Sequence, residues 1–145
     1  MNPAPTTPFV LLIDDNDTDN LISKRILELT GFSNNILVKN SSVAAIDWLR
    51  VVVNDQAAAM PDWIFLDINM PMLDGFDFVT AFEQLTDKMS RRARIVILSS
   101  SDSRADIERM MKNPCVTGFI TKPLTTSNLS QWQASFPTES LGLIG

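Results

Sequence analysis

Apolar positions along the chain fall into two patterns that alternate. Short apolar-rich segments occur at Phe9-Val10-Leu11-Leu12-Ile13, Asn35-Ile36-Leu37-Val38, Trp63-Ile64-Phe65-Leu66, Arg94-Ile95-Val96-Ile97-Leu98 and Val116 to Thr121. The runs Phe9 to Ile13 and Trp63 to Leu66, unbroken rather than alternating, predict strands buried on both faces, and the other three are read as strands. Between them the apolar residues recur at helical spacing. Leu21, Ile22, Ile26 and Leu29 follow the cap candidates Asp17-Thr18-Asp19, and Gly31 is placed as the stop. Ser41-Ser42 opens a second helix carrying Val43, Ile46, Leu49 and Val53. A third follows Gly75, with Phe76, Val79 and Phe82 inward; Ser103 to Lys112 carries Ile107, Met110 and Met111; Thr125 to Ser135 carries Leu129, Trp132 and Phe136, with Pro137 ending it. Strict alternation over five units implies an α/β fold, a parallel sheet covered by helices on both faces through right-handed crossovers. The expected organisation is one domain over 9–136, a polar, proline-rich and disordered lead-in over 1–8, and a short tail over 137–145. Asp87 to Arg92 reads as a solvated connection.

Charge and composition narrow the chemistry. A net charge of -5 without a basic cluster argues against direct nucleic-acid or anionic-membrane binding, both of which need a Lys/Arg-rich face. The chain has no histidine, which excludes Ser-His-Asp and Cys-His catalysis and any phosphohistidine of its own. Cys115 has no partner for an internal disulfide and is expected as a small buried side chain. The early apolar run is too short to span a bilayer and lacks a basic leader, so a cytoplasmic protein is expected. What remains is carboxylate, hydroxyl and ammonium chemistry.

Those groups sit where the strands end. Asp14 and Asp15 close the first run, Asp67 the third, Ser99 the fourth and Lys122 the fifth. In an open α/β sheet that edge is where ligands bind. Two carboxylates about 4 Å apart repel by roughly 4 kcal/mol at an effective dielectric near 20, so with three acids in one cleft either their pKa values rise or a metal binds. Oxygen-only ligation from few protein groups suits Mg²⁺ (or Mn²⁺), which keeps waters and completes its shell with phosphate oxygen. Lys122 and Ser99 are suited to phosphoryl oxygens. These residues point to phosphoryl transfer onto a carboxylate, with Asp67, alone on a central strand, as nucleophile and Asp14 and Asp15 holding the metal.

The motifs Ile13-Asp14-Asp15-Asn16, Leu66-Asp67-Ile68-Asn69-Met70-Pro71-Met72-Leu73-Asp74-Gly75, Leu98-Ser99-Ser100 and Thr121-Lys122-Pro123 stand in the order found in the receiver domains of two-component response regulators, which the chain resembles over roughly Phe9 to Phe136. The resemblance implies a flavodoxin-like sheet of order 2-1-3-4-5. It implies Asp67 as phosphoacceptor, Asp15, Asp67 and the backbone carbonyl of Asn69 as direct Mg²⁺ ligands, and Asp14 as an outer ligand acting through water. Lys122 would hold the acceptor carboxylate and then the phosphoryl group, Ser99 would swing toward a phosphoryl oxygen, and Phe119 would follow inward as an aromatic switch. A cis Lys122-Pro123 bond also follows from the resemblance. Departures from the commonest pattern are Ser99 for threonine, Ser100 for alanine and Phe119 for tyrosine.

The implied donor is a sensor histidine kinase or a histidine phosphotransfer protein. The implied output is a protein target or a self-dimer, reached through the face of the fourth helix, fifth strand and last helix, where Met110, Met111, Phe119 and Trp132 lie. Two other readings compete. A haloacid-dehalogenase-like phosphatase also uses an aspartyl nucleophile with Mg²⁺, but it wants a second acid two residues later, where this chain has Asn69, and its acid pair comes late rather than first. A flavin-binding module would need a Ser/Thr/Gly-rich phosphate loop after the first strand, where this chain has two acids.

Overall fold

Residues 7–55, 59–68, 74–87, 93–99 and 104–135 are described by the structure, a computed structural model. Each apolar run becomes a strand and each periodic segment a helix: β1 (Phe9–Ile13), α1 (Asp17–Leu29), β2 (Asn35–Lys39), α2 (Ser42–Val53), β3 (Trp63–Asp67), α3 (Gly75–Thr86), β4 (Arg94–Ser99), α4 (Arg104–Met111), β5 (Val116–Thr121) and α5 (Thr126–Ala134). The strands pair in parallel in the order β2-β1-β3-β4-β5, as expected.

The unbroken apolar runs are explained by burial on two sides. In β1, β3 and β4 one set of alternate residues, Leu11, Ile13, Ile64, Leu66, Ile95 and Ile97, packs with Ile46 and Leu49 of α2, Phe78 and Phe82 of α3 and Met110 of α4. The other set, Val10, Leu12, Trp63, Phe65, Val96 and Leu98, packs with Leu27 of α1 and with Leu129 and Trp132 of α5. Cys115 is buried, as expected.

Helix starts are set by side chains that take up otherwise unpaired amides. The Asn16 side chain accepts from the Asp19 amide, so the cap of α1 is Asn16 rather than the predicted Asp17-Thr18-Asp19. Asp74 caps α3, and Thr125 and Asn128 form a reciprocal capping box on α5. Gly31, the predicted stop, has φ +75 immediately after the C-cap Thr30.

Two helix faces differ from the predicted ones. In α1 the buried residues are Asn20, Ser23 and Leu27, while Leu21, Ile22 and Leu29 are 70%, 40% and 61% exposed. The inner face begins beside the acidic loop, and Asn20 is buried there because its amide donates to the Asp14 carbonyl at 2.7 Å. In α2 the buried side is Ala45, Ile46, Leu49 and Val52, and Val43 is exposed. That helix is apolar on nearly every side, so spacing alone does not set its phase. Thr7 and Pro8, placed in the lead-in from sequence, are hydrogen bonded to Asn34 and Ser33. The rest of the lead-in (1–6), the Pro71 turn, Ser100, most of the 87–92 connection, Phe136, Pro137 and the tail lie outside the described residues.

Gly118 lets α5 lie close on β5. A Cβ there would stand 2.5 Å from Trp132 Nε1. The indole cannot simply yield, because it packs edge-on against Trp63 at 5.2 Å and Phe65 at 6.1 Å between ring centroids. Gly118→Ala should therefore destabilise the fold by about 1 to 3 kcal/mol, read as a lower urea midpoint; an unchanged midpoint would show that the indole repacks without cost.

Candidate functional site

The register brings the predicted residues to one edge. Ile13 pairs with Leu66 and Asp67 with Leu98, so Asp14, Asp67 and Ser99 emerge side by side from β1, β3 and β4. β1 connects away to β2 on one side and β3 lies on the other, which opens the crevice at the switch of strand order. Asp67 and Ser99 are the last residues of their strands, one beyond the predicted ends, and both are buried.

Asp14 is wholly buried and fully engaged. Its backbone amide donates to the Lys39 carbonyl at 3.2 Å, and its Oδ1 accepts from the Asn16 amide at 2.9 Å. Its Oδ2 accepts from Lys122 Nζ at 2.7 Å. Asp15 is exposed at the mouth. One oxygen each from Asp14, Asp15 and Asp67 lies within 4.8 Å of the others. This set fits Mg²⁺: the donors are hard oxygens, few in number, and the exposed Asp15 leaves room for water in the remaining positions.

Lys122 is the cation of the cluster. Its backbone amide donates to the Ser99 carbonyl at 2.8 Å, tying the ends of β4 and β5 together, and the Lys122-Pro123 bond is cis, as the resemblance implied. Nζ lies 2.7 Å from Asp14 Oδ2, 2.8 Å from Asp19 Oδ2 and 3.5 Å from Asp67 Oδ2. Burial works to lower the ammonium pKa, but the hydrogen bonds to Asp14 and Asp19 and the charges of Asp67 and Asp14 outweigh it and raise it above the ordinary lysine value. A raised folded-state pKa means the contribution to stability is complete below the unfolded value, near 10.4, and is lost only as pH climbs past it. Lys122 is thus a fixed positive charge at neutral pH and not a proton shuttle.

Asp19 was missed as a site residue. It was read as a cap candidate on the first turn of α1, a local role that gives no sign of its contact with Lys122. Asn69 lies outside the described residues. Phe119 points outward, 43% exposed, and with Thr121, Asn128 and Gln131 lines a surface groove beside Trp132. On the predicted output face Met111 is exposed, whereas Met110 and Trp132 are buried and belong to the core.

A doubly wound parallel sheet with an acid triad and a lysine at its switch point is an α/β fold whose ligand edge offers hard oxygen donors beside one ammonium. The family model of the response regulator receiver domain matches residues 10–132, and the chain belongs to that family. Receiver domains are signalling phosphoacceptors that take phosphate from histidine kinases. The chain is 28% identical over 125 residues to the probable methanogenesis regulatory protein FilR2 of Methanothrix harundinacea, covering 86% of this chain and 78% of that one. It is 36% identical over 107 residues to the transcriptional regulatory protein PrrA of Mycobacterium tuberculosis, spanning 73% of this chain but only 40% of that protein. Among solved structures, a two-component response regulator from Cytophaga hutchinsonii superposes with a TM-score of 0.78 at 29% identity, over 90% of this chain and 97% of that one. The phosphatase alternative finds no support among these relatives. Among the described residues, no helix is long and apolar enough to cross a membrane.

Proposed function

We propose that Asp67 is the phosphoacceptor. The observation that carries this is the Lys122 ammonium 3.5 Å from the Asp67 carboxylate, in the pocket shared with Asp14 and Asp15. An Asp67 oxygen attacks the donor phosphorus and a new P–O bond forms, while the bond from phosphorus to the donor (P–N in a phosphohistidine, P–O in acetyl phosphate) breaks with its electron pair leaving on the donor. Asp15 and Asp67, with the Asn69 backbone carbonyl, would hold Mg²⁺, and Asp14 would act through water. When bound, the ion neutralises phosphoryl charge. Lys122 binds phosphoryl oxygens from the other side.

The rest of the reading extends from that bond. Phosphorylation adds about 1.5 to 2 negative charges and three acceptor oxygens, enough to draw the Ser99 hydroxyl over. Phe119, exposed on β5, would move inward behind it. The donor would be a sensor histidine kinase or a histidine phosphotransfer protein, and the readout a protein target or a second copy meeting the α4-β5-α5 face. The chain would catalyse only its own phosphorylation and dephosphorylation.

Incubation with acetyl phosphate and Mg²⁺ should add one phosphoryl group to the intact mass, and EDTA should prevent it. Steady release of many equivalents of phosphate from phosphate esters would instead mark a phosphatase and overturn the reading.

A further inference from the structure

Lys122 is shared among acids unevenly, and the unevenness has a chemical consequence. Its ammonium makes short contacts with Asp14 and Asp19 and a longer one with Asp67, at 2.7, 2.8 and 3.5 Å. An ammonium has three N–H bonds, and two of them are committed to carboxylates other than the acceptor. Asp14 is anchored deep in the site, with its other oxygen bound to the Asn16 amide. Asp19 differs: its side chain is 35% exposed, it lies on the first turn of α1, and the cap at Asn16 holds its backbone. An acid in that place holds Lys122 while keeping partial contact with solvent.

We propose that Asp19 is a positioning residue that competes with Asp67 for the Lys122 ammonium and so restrains phosphorylation. The inference rests on the reading of Asp67 as phosphoacceptor. The one N–H left for Asp67 stands at a long 3.5 Å contact, so as Lys122 closes on the phosphoryl oxygens arriving there its contact with Asp19, the less anchored of its two short partners, weakens, and part of the attraction the phosphoryl group offers is spent on that exchange. As the P–O bond to Asp67 forms and the donor's bond to phosphorus breaks, a P–O bond with acetate leaving when acetyl phosphate is the donor, Lys122 trades one oxyanion for another. No proton moves and its charge is unchanged. Removing the Asp19 carboxylate leaves Lys122 with Asp14 and the phosphoryl oxygens alone.

The test is the rate of labelling by acetyl phosphate at saturating Mg²⁺, followed by intact mass. Asp19→Asn should label three- to tenfold faster than wild type. Damage to the fold would slow labelling, so the direction itself separates positioning from a structural role. Asp19→Glu, which keeps a carboxylate within reach of Lys122, should stay within twofold of wild type. In a Lys122→Met background the further change Asp19→Asn should have less than a twofold effect, because the residue through which Asp19 acts is gone. An Asp19→Asn rate equal to or below wild type overturns the proposal. So does an acceleration that persists without Lys122, which would be the general effect of removing one negative charge. A wild type that takes no label, or a label that survives Asp67→Ala, would instead break the phosphoacceptor reading beneath it.

Discussion

Lys122→Met is expected to lower the unfolding free energy by about 3 kcal/mol in chelator-treated buffer, because it strips the buried Asp14 of its cation. The Lys122 side chain is 10% exposed and that of Asp14 is 1% exposed, so water does not replace the lost partner. Asp67, 3.5 Å from the same ammonium, loses that contact as well. Methionine keeps the apolar length of the stem, which confines the effect to charge. Mg²⁺ should then recover more stability in the variant than in wild type, since the ion no longer competes with an ammonium for the same carboxylates, and binding to the folded state alone stabilises it by mass action. Urea unfolding with and without Mg²⁺ checks both parts. Equal midpoints for variant and wild type in chelator would mean that Lys122 is not the counter-ion of the cluster.

Asp15→Asn is expected to move two properties in opposite directions. Asp15 stands at the exposed mouth and its ligand oxygen lies within 4.8 Å of those of Asp14 and Asp67. Removing its charge relieves repulsion among the acids. Exposure screens that term, so the gain in stability without metal should be about 1 kcal/mol. The same change deletes one of three carboxylates available to a divalent cation, and Mg²⁺ affinity should fall roughly 10- to 100-fold, or about 1.4 to 2.7 kcal/mol. Calorimetric titration with Mg²⁺ and thermal unfolding in chelator give the pair of values. A variant that binds Mg²⁺ as tightly as wild type would remove Asp15 from the ligand set.

The fold was legible because its determinants are local and redundant. β3 has all five residues buried, and a run such as Trp63-Ile64-Phe65-Leu66 has no other stable place in a chain of this length. The site was legible for a related reason: strand ends in a parallel sheet converge whatever the helices do, so Asp14, Asp67, Ser99 and Lys122 could be grouped without knowing any distance. Helix phase was less accessible. Leu21, Ile22 and Leu29 have the right spacing for an inner face, but the geometry at the start of α1 buries Asn20 against the Asp14 carbonyl instead. A buried asparagine is only favourable once its partner is in place, and that partner is invisible to hydrophobic periodicity. Asp19 was overlooked for the same reason. Its role as partner of Lys122 depends on a contact spanning most of the chain, whereas its position at a helix start offered a sufficient local explanation.

One carboxylate, Asp67, is reversibly phosphorylated to an acyl phosphate. After labelling with acetyl phosphate and Mg²⁺, borohydride reduction converts an aspartyl phosphate to homoserine, and peptide sequencing locates it. The account predicts homoserine at position 67 in wild type and none anywhere in Asp67→Ala. Reduction at Asp14 or Asp15, or an unmodified Asp67 in fully labelled protein, would contradict it.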